Sequence, residues 1–284
     1  MFLLCGVHAA ARSAEPADAA AASSSPVVSP SSSSGGQAAG ADTCRDCHKD
    51  EKFRVQNKKI YDYYRDWDGS AHDLAGITCT ACHGGDPASP VKEEAHKGIL
   101  PQSDPASPFN YKNIPKTCGI PCHAPVYGHF VKSRHYEVLE RSGRGPNCIT
   151  CHGALDAKVY STTIIERACS KCHNKKTGNH PQVISRAQEI LRRLDHANGY
   201  RKGLAFYYKA VNKPEAMAGV DAAYKDVRQF WHEFNFEKLD PRSQDLLAEL
   251  KAIYVKAHEA RKAVLKRTAP DTTPAQALEK KQSP

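Results

Sequence analysis

Apolar positions in the last third of the chain recur at helical spacing. Val183, Ala187, Ile190 and Leu194 form one stripe, and Val220, Tyr224, Val227, Trp231 and Phe234 form a second. The longest runs through Leu246, Leu250, Ile253, Ala257, Ala260 and Val264. Residues three and four apart share one helix face, so these stripes predict amphipathic helices. Asn179-His180-Pro181 reads as a helix start, with proline in the first turn, and Asp240-Pro241 as the opening of the longest helix. That last stripe is nearly a heptad seam, suited to packing on its own neighbours or to a homodimer contact through the C-terminal helix. From Thr268 onward the chain is polar and proline-containing, and a frayed end is expected.

The first half has a different texture. Residues 12–41 are rich in Ala, Ser, Pro and Gly, a linker composition with nothing to bury. Phe53 to Trp67 carries Ile60, Tyr63, Tyr64 and Trp67 at mixed helical spacing and stops at Asp68-Gly69. The segment from Asp86 to Pro115 contains six prolines and His96, which predicts an irregular loop. Strand patterns are scarce.

Between these patterns one short phrase is written five times. It occurs as Cys44-Arg45-Asp46-Cys47-His48, Cys79-Thr80-Ala81-Cys82-His83, Cys118-Gly119-Ile120-Pro121-Cys122-His123, Cys148-Ile149-Thr150-Cys151-His152 and Cys169-Ser170-Lys171-Cys172-His173. C-x-x-C-H is the attachment signature of c-type haem. Two thiols at this spacing reach the two vinyl groups of one porphyrin, and the adjacent histidine, His48, His83, His123, His152 or His173, reaches the iron as proximal ligand. The third motif has one extra residue between its cysteines, which a kinked loop at Gly119 and Pro121 can absorb; a disulfide between Cys118 and Cys122 is the alternative there. Zinc sites commonly use two cysteine pairs per ion and have no need of a histidine after every pair. Five covalent haems are expected.

Haem also changes what composition implies. Hydrophobic residues make up 40% and aromatics 8%, thin for a conventional core in 284 residues, and five apolar macrocycles would supply the missing interior. The net charge of +9 suggests nucleic acid until the cofactor is included, because five ferric haems with ionised propionates bring it to roughly +4. The basic excess sits after the last motif. Residues 174–284 carry 21 Lys and Arg against 13 Asp and Glu, a surface that suits propionates, an acidic partner, anionic lipid or plain solvent.

Covalent haem implies export to the periplasm or beyond. Met1 to Ala11 resembles the apolar end of a signal peptide without its positive leader, so the protein is expected to be exported, with an N-terminal tether through Cys5 as a variant. Met217 is the only methionine besides Met1, so distal ligands should be histidines. Eight lie outside the motifs and leader: His72, His96, His129, His135, His180, His196, His232 and His258. His72 and His135 each follow a serine by two residues upstream of a motif, as one unit used twice. His96, His129 and His180 sit on loops or element ends near motifs. His196, His232 and His258 lie in helical stretches and stay open. Two neutral imidazoles favour ferric iron, so low potentials are expected.

With its Trp67-x-x-Ser70-x-His72 phrase, Cys-His-Gly ends at Gly84 and Gly153 and long helices after the last motif, the chain resembles the multihaem cytochromes c. It is most similar to the group linking tetrahaem cytochromes of ammonia oxidation, hydroxylamine oxidoreductase and pentahaem nitrite reductase. The resemblance implies closely spaced haem pairs along which electrons hop. No C-x-x-C-K occurs, the variant typical of the nitrite reductases.

The expected fold is mainly α, a haem-packed domain with little regular sheet followed by a long-helix domain. The expected division is a leader and linker over 1–43, a pentahaem domain over 44–178, a helical domain over 179–268 and a tail over 269–284. The expected function is electron relay between other cytochromes or a membrane quinol-oxidising complex and a terminal reductase or extracellular acceptor, without nucleic acid. The alternatives are a small reductase of nitrite, hydroxylamine or a sulfur oxyanion with one open haem, and a haem-filament subunit.

Overall fold

A computed structural model describes residues 42–153, 155 and 162–268. The expected leader and linker up to residue 41, and the expected tail over 269–284, lie outside the described residues. The described residues belong to one compact unit, and they are mainly helical with no strand among them. No helix among them is long and apolar enough to cross a membrane.

Short helices dominate the first part: α1 (Thr43–His48), α2 (Glu51–Gln56), α3 (Lys58–Trp67), α4 (Ala71–Leu74), α5 (Thr80–His83), α6 (Lys92–Ala95), α7 (Ile114–Gly119), α8 (Ala124–Phe130), α9 (Arg134–Ser142), α10 (Cys148–His152) and α11 (Thr162–Ser170). Three longer ones follow: α12 (Val183–Ala210), α13 (Met217–Phe230) and α14 (Phe236–Thr268).

The long helices form the apolar core. Ile190, Leu194, Ala197 and Leu204 of α12 meet Val220, Tyr224, Val227 and Phe230 of α13 and Leu239, Leu246 and Leu250 of α14. Each Val, Leu, Ile or Phe among these, fully buried, stabilises the fold by about 1.5–3 kcal/mol. Both outer ends of this bundle differ from the expectation. α12 begins two residues after Pro181, because His180 takes a left-handed backbone (φ 40°) and its carbonyl accepts from the Val183 N–H. α14 begins at Phe236 and carries Pro241 inside it. Asn235 starts that helix by accepting from Lys238 and Leu239, and fully buried Leu239 anchors it. The second stripe ends early as well: α13 stops at Phe230, and left-handed Phe234 (φ 52°) turns its ring towards His135, 4.5 Å away. The last stripe leaves the core after Ala257, since Val264 is 58% exposed.

The region before residue 179 is built otherwise. Among the described residues its buried hydrophobic side chains are Tyr61, Trp67, Ile114, Phe130 and Leu139, five against fourteen in the shorter helical part. Capping and turns hold it instead. Ser70 and Ser133, both buried, cap α4 and α9 by accepting from the Asp73 and Tyr136 N–H groups. Thr43 ties the first motif to the segment after the second, donating its hydroxyl to the carbonyls of Pro87 and Ser89.

Candidate metal centres

The second, third and fifth motifs close on themselves through a backbone bond from the histidine to the first cysteine. The N–H of His83 donates to the Cys79 carbonyl at 2.9 Å, and that of His173 to Cys169 at 2.8 Å. In the third motif the His123 N–H reaches the Cys118 carbonyl at 3.1 Å, five residues back. The extra residue is thus taken up by a wider turn, and the first cysteine and the histidine keep their contact. Gly84 (φ 69°) and Gly153 (φ 75°) leave the second and fourth motifs in a backbone region that L-residues disfavour. None of the ten motif cysteines is in a disulfide, Cys118 and Cys122 included.

Four of the five motif histidines face a second histidine. Ring centroids lie 6.1 Å apart for His48 and His96, 6.3 Å for His123 and His72, 6.0 Å for His173 and His135, and 6.1 Å for His152 and His232. A ring nitrogen sits about 2.0–2.1 Å from a bound transition metal and about 1.1 Å from its own centroid, so two imidazoles on opposite sides of one metal have centroids about 6.3 Å apart. The four spacings match that value. His83 has no histidine opposite it among the described residues; the ring of Phe109 stacks on it at 3.9 Å and 21°.

Several of these rings are fixed by their far nitrogen. Nδ1 of His96 bonds the Lys92 carbonyl (2.7 Å), Nδ1 of His173 that of Asn179 (2.8 Å), and Nδ1 of His232 that of Gln229 (3.2 Å). Such a bond makes Nδ1 the donor and leaves Nε2 as a free lone pair, the second-shell arrangement usual for metal-binding histidines. His135 differs, since its Nδ1 is buried with no hydrogen-bond partner.

Electrostatics favour neutral ligands. Burial lowers the pKa of His48, His83 and His152, and brings His135 and His232 down to about 4, in each case with a neighbouring histidine adding to the effect. Burial also pushes the Cys79 and Cys151 thiols up to about 11. Arg45 beside Cys79 and Lys171 beside Cys151 oppose that shift without cancelling it. Among the described residues no group of three or more His, Cys, Asp or Glu is arranged to hold a bare ion. A porphyrin iron asks for less, because four of its ligands are already supplied and two axial nitrogens complete it. Paired imidazoles, paired thiols beside each and a region short of apolar side chains fit haem.

No family model matches the chain, and no curated protein or solved structure matches it either.

The motifs follow one another in space in chain order. Cys79 has Cys44 as an electrostatic neighbour, Cys82 has Cys118 and Cys122, Cys148 has Cys118, and Cys151 has Cys169 and Cys172. Helix contacts agree, since α10 of the fourth motif packs on both α7 and α11.

Of the sequence candidates, His72, His135 and His96 lie opposite motif histidines. The repeated serine unit works through the helix cap: Ser70 and Ser133 start α4 and α9, so His72 and His135 occupy the second helical position of each. Each faces not the motif it precedes but the next one, His123 and His173 respectively. His129 is elsewhere, bonded through Nδ1 to Glu233 at 2.8 Å, with Lys132 on the same carboxylate. Burial opposes ionisation of Glu233, but the bonds from His129 and Lys132 hold it below the usual carboxylate range. His180 forms the left-handed turn before α12 and meets no motif ring. His232, one of the helical histidines, sits just past the end of α13, where the chain tightens to a 3-10 turn (Trp231–Glu233). Nothing in the sequence pointed to Phe109.

Proposed function

We propose that this chain is an exported pentahaem c-type cytochrome that relays electrons. Cys44/Cys47, Cys79/Cys82, Cys118/Cys122, Cys148/Cys151 and Cys169/Cys172 would hold the five haems through thioether bonds, with His48, His83, His123, His152 and His173 as proximal ligands. Haem supplies a one-electron ferric/ferrous couple when bound. The observation that carries the reading is the set of four histidine pairs at 6.0–6.3 Å, each with one member in a motif.

The chain's own residues then set the properties of the relay. His96, His72, His232 and His135 bring a second imidazole to four centres, which favours the ferric state and a low potential. The chain-order succession of the motifs supports stepwise transfer along the row. Buried histidines held neutral keep their lone pairs for the metal. Export fits the attachment chemistry, and the partners that fit are a quinol-oxidising complex or cytochrome on one side and a terminal reductase or extracellular acceptor on the other.

A second reading is favoured by one observation, the absence of a histidine opposite His83 among the described residues. A centre with one protein ligand accepts an exogenous small molecule, as a reductase of nitrite, hydroxylamine or a sulfur oxyanion requires. Carbon monoxide added to the reduced protein should bind one centre in five, and turnover of one of these substrates at that centre would favour this reading over pure relay.

The test of the haem reading itself is the intact mass of denatured protein from a host that attaches haem c. Five haem masses above the polypeptide are expected. A polypeptide mass alone would overturn it.

A further inference from the structure

The two ends of the row of motifs differ in charge. Within five residues of the fifth motif lie Arg167, Lys171, Lys175 and Lys176 against one acid, Glu166, a surplus of three positive charges. The same window gives a surplus of one acid at the first motif and one at the second, one base at the third and balance at the fourth. All four cations of the fifth motif are exposed, and none is in an ion pair among the described residues. Glu166 is engaged, accepting from Gln188 at 2.7 Å. The fifth motif is also terminal: its thiols neighbour those of the fourth motif, and Cys172 itself is exposed. Three uncompensated cations outweigh the two propionates of one haem, so this end stays positive when loaded.

We propose that the rim formed by Arg167, Lys171, Lys175 and Lys176 is the docking surface for a redox protein whose own surface cofactor is ringed by Asp and Glu. This inference rests on the haem reading, since without a haem at Cys169/Cys172 nothing is exchanged there. The surface steers an acidic partner to the terminal centre at Cys169/Cys172, which lies next to solvent. The first-motif end, with Asp46, Asp50 and Glu51 tied to Lys49, the Lys52 N–H and Tyr61, repels such a partner or leaves it unoriented. Complementary charge acts mainly on the association rate, by tenfold to a thousandfold at low salt.

The experiment uses the full haem-loaded chain and a flavodoxin of strongly acidic surface, in its hydroquinone form, as electron donor. Stopped-flow absorbance follows haem reduction at about 10 mM and at about 500 mM ionic strength, where charges are screened beyond about 30 Å and about 4 Å respectively. Three proteins are compared: the unaltered chain, Lys175→Glu/Lys176→Glu, and Lys209→Glu/Lys213→Glu. The last pair makes the same change in net charge at the far end of α12, about 39 Å along the helix from Val183. At low salt the Lys175→Glu/Lys176→Glu protein should be slower by tenfold or more, the control by less than twofold, and the difference should vanish at high salt. Equal slowing of both variants, or of neither, overturns the docking surface. Haem content is measured on the same samples: five per chain with equal rates defeats this inference alone, while absent haem defeats the reading beneath it.

Discussion

His232 and His152 stand 80 positions apart in the chain, yet their rings lie 6.1 Å apart with planes 11° from parallel. This pair joins the helical part of the molecule to the fourth motif. Its neighbourhood is shared: Phe130 meets Phe234 at 6.5 Å, and His129 of α8 bonds Glu233, the residue after His232. The helical part therefore brings a histidine to the fourth motif as well as providing a scaffold.

Replacing His232 by alanine should remove one ligand and leave the other three pairs in place. The expected result is one additional high-spin centre per chain and one additional carbon monoxide site in the reduced protein. An unchanged spectrum would show that His232 is not a ligand. His72→Ala and His135→Ala should each behave in the same way, at the third and fifth motifs.

Gly145 lies beneath α9, the helix that carries His135. A Cβ there would stand 2.3 Å from the His135 carbonyl and 2.4 Å from the Leu139 nitrogen, both backbone atoms that cannot swing aside. Gly145→Ala should destabilise the protein by about 1–3 kcal/mol or more, as overpacking does. It should also disturb the fifth centre before the first four. A denaturant titration followed by haem absorbance checks both.

Arg193 binds the carboxylates of Asp240 and Glu189 and the hydroxyl of fully buried Ser243. This cluster pins the start of α14, next to Pro241, onto α12. Asp240→Ala would leave the guanidinium short of its best-shielded partner, and a loss of about 1–3 kcal/mol is expected from urea unfolding. Lys251→Ala, on the exposed face of the same helix, should change stability by less than about 0.5 kcal/mol.

The buried histidines give stability a pH dependence of definite sign. In the unfolded chain histidine titrates near pH 6.5, whereas burial lowers His135 and His232 to about 4 in the fold. Between those values the unfolded chain binds protons that the folded chain refuses, so stability falls as the pH drops from about 6.5 to about 4 and is flat above. Each of the two accounts for about 3 kcal/mol across that window. Thermal melts at pH 7.5, 6.5, 5.5 and 4.5 should show steady decline through the last three. A protein equally stable at 7.5 and 4.5 would contradict neutral buried imidazoles.

The helical half was readable because its stripes are packing faces: Ala187, Ile190, Leu194, Val220, Tyr224, Val227, Leu246 and Leu250 are all buried as their spacing requires. Its ends were not, because caps override pattern there. Pro241 looks like a first-turn residue, yet Asn235 and Leu239 start the helix earlier. The Ser-x-His units were legible as repeats. Which motif each would face was not, since that depends on how successive turns stack and not on sequence distance. His232 and Phe109 come from outside the motifs, and only the fold brings them to His152 and His83.

Low-temperature electron paramagnetic resonance of the oxidised protein, integrated against total haem, tests the central claim most directly. Four low-spin ferric centres and one high-spin centre per chain are predicted, with the high-spin signal alone responding to cyanide. Five low-spin centres, or no ferric haem signal at all, would contradict it.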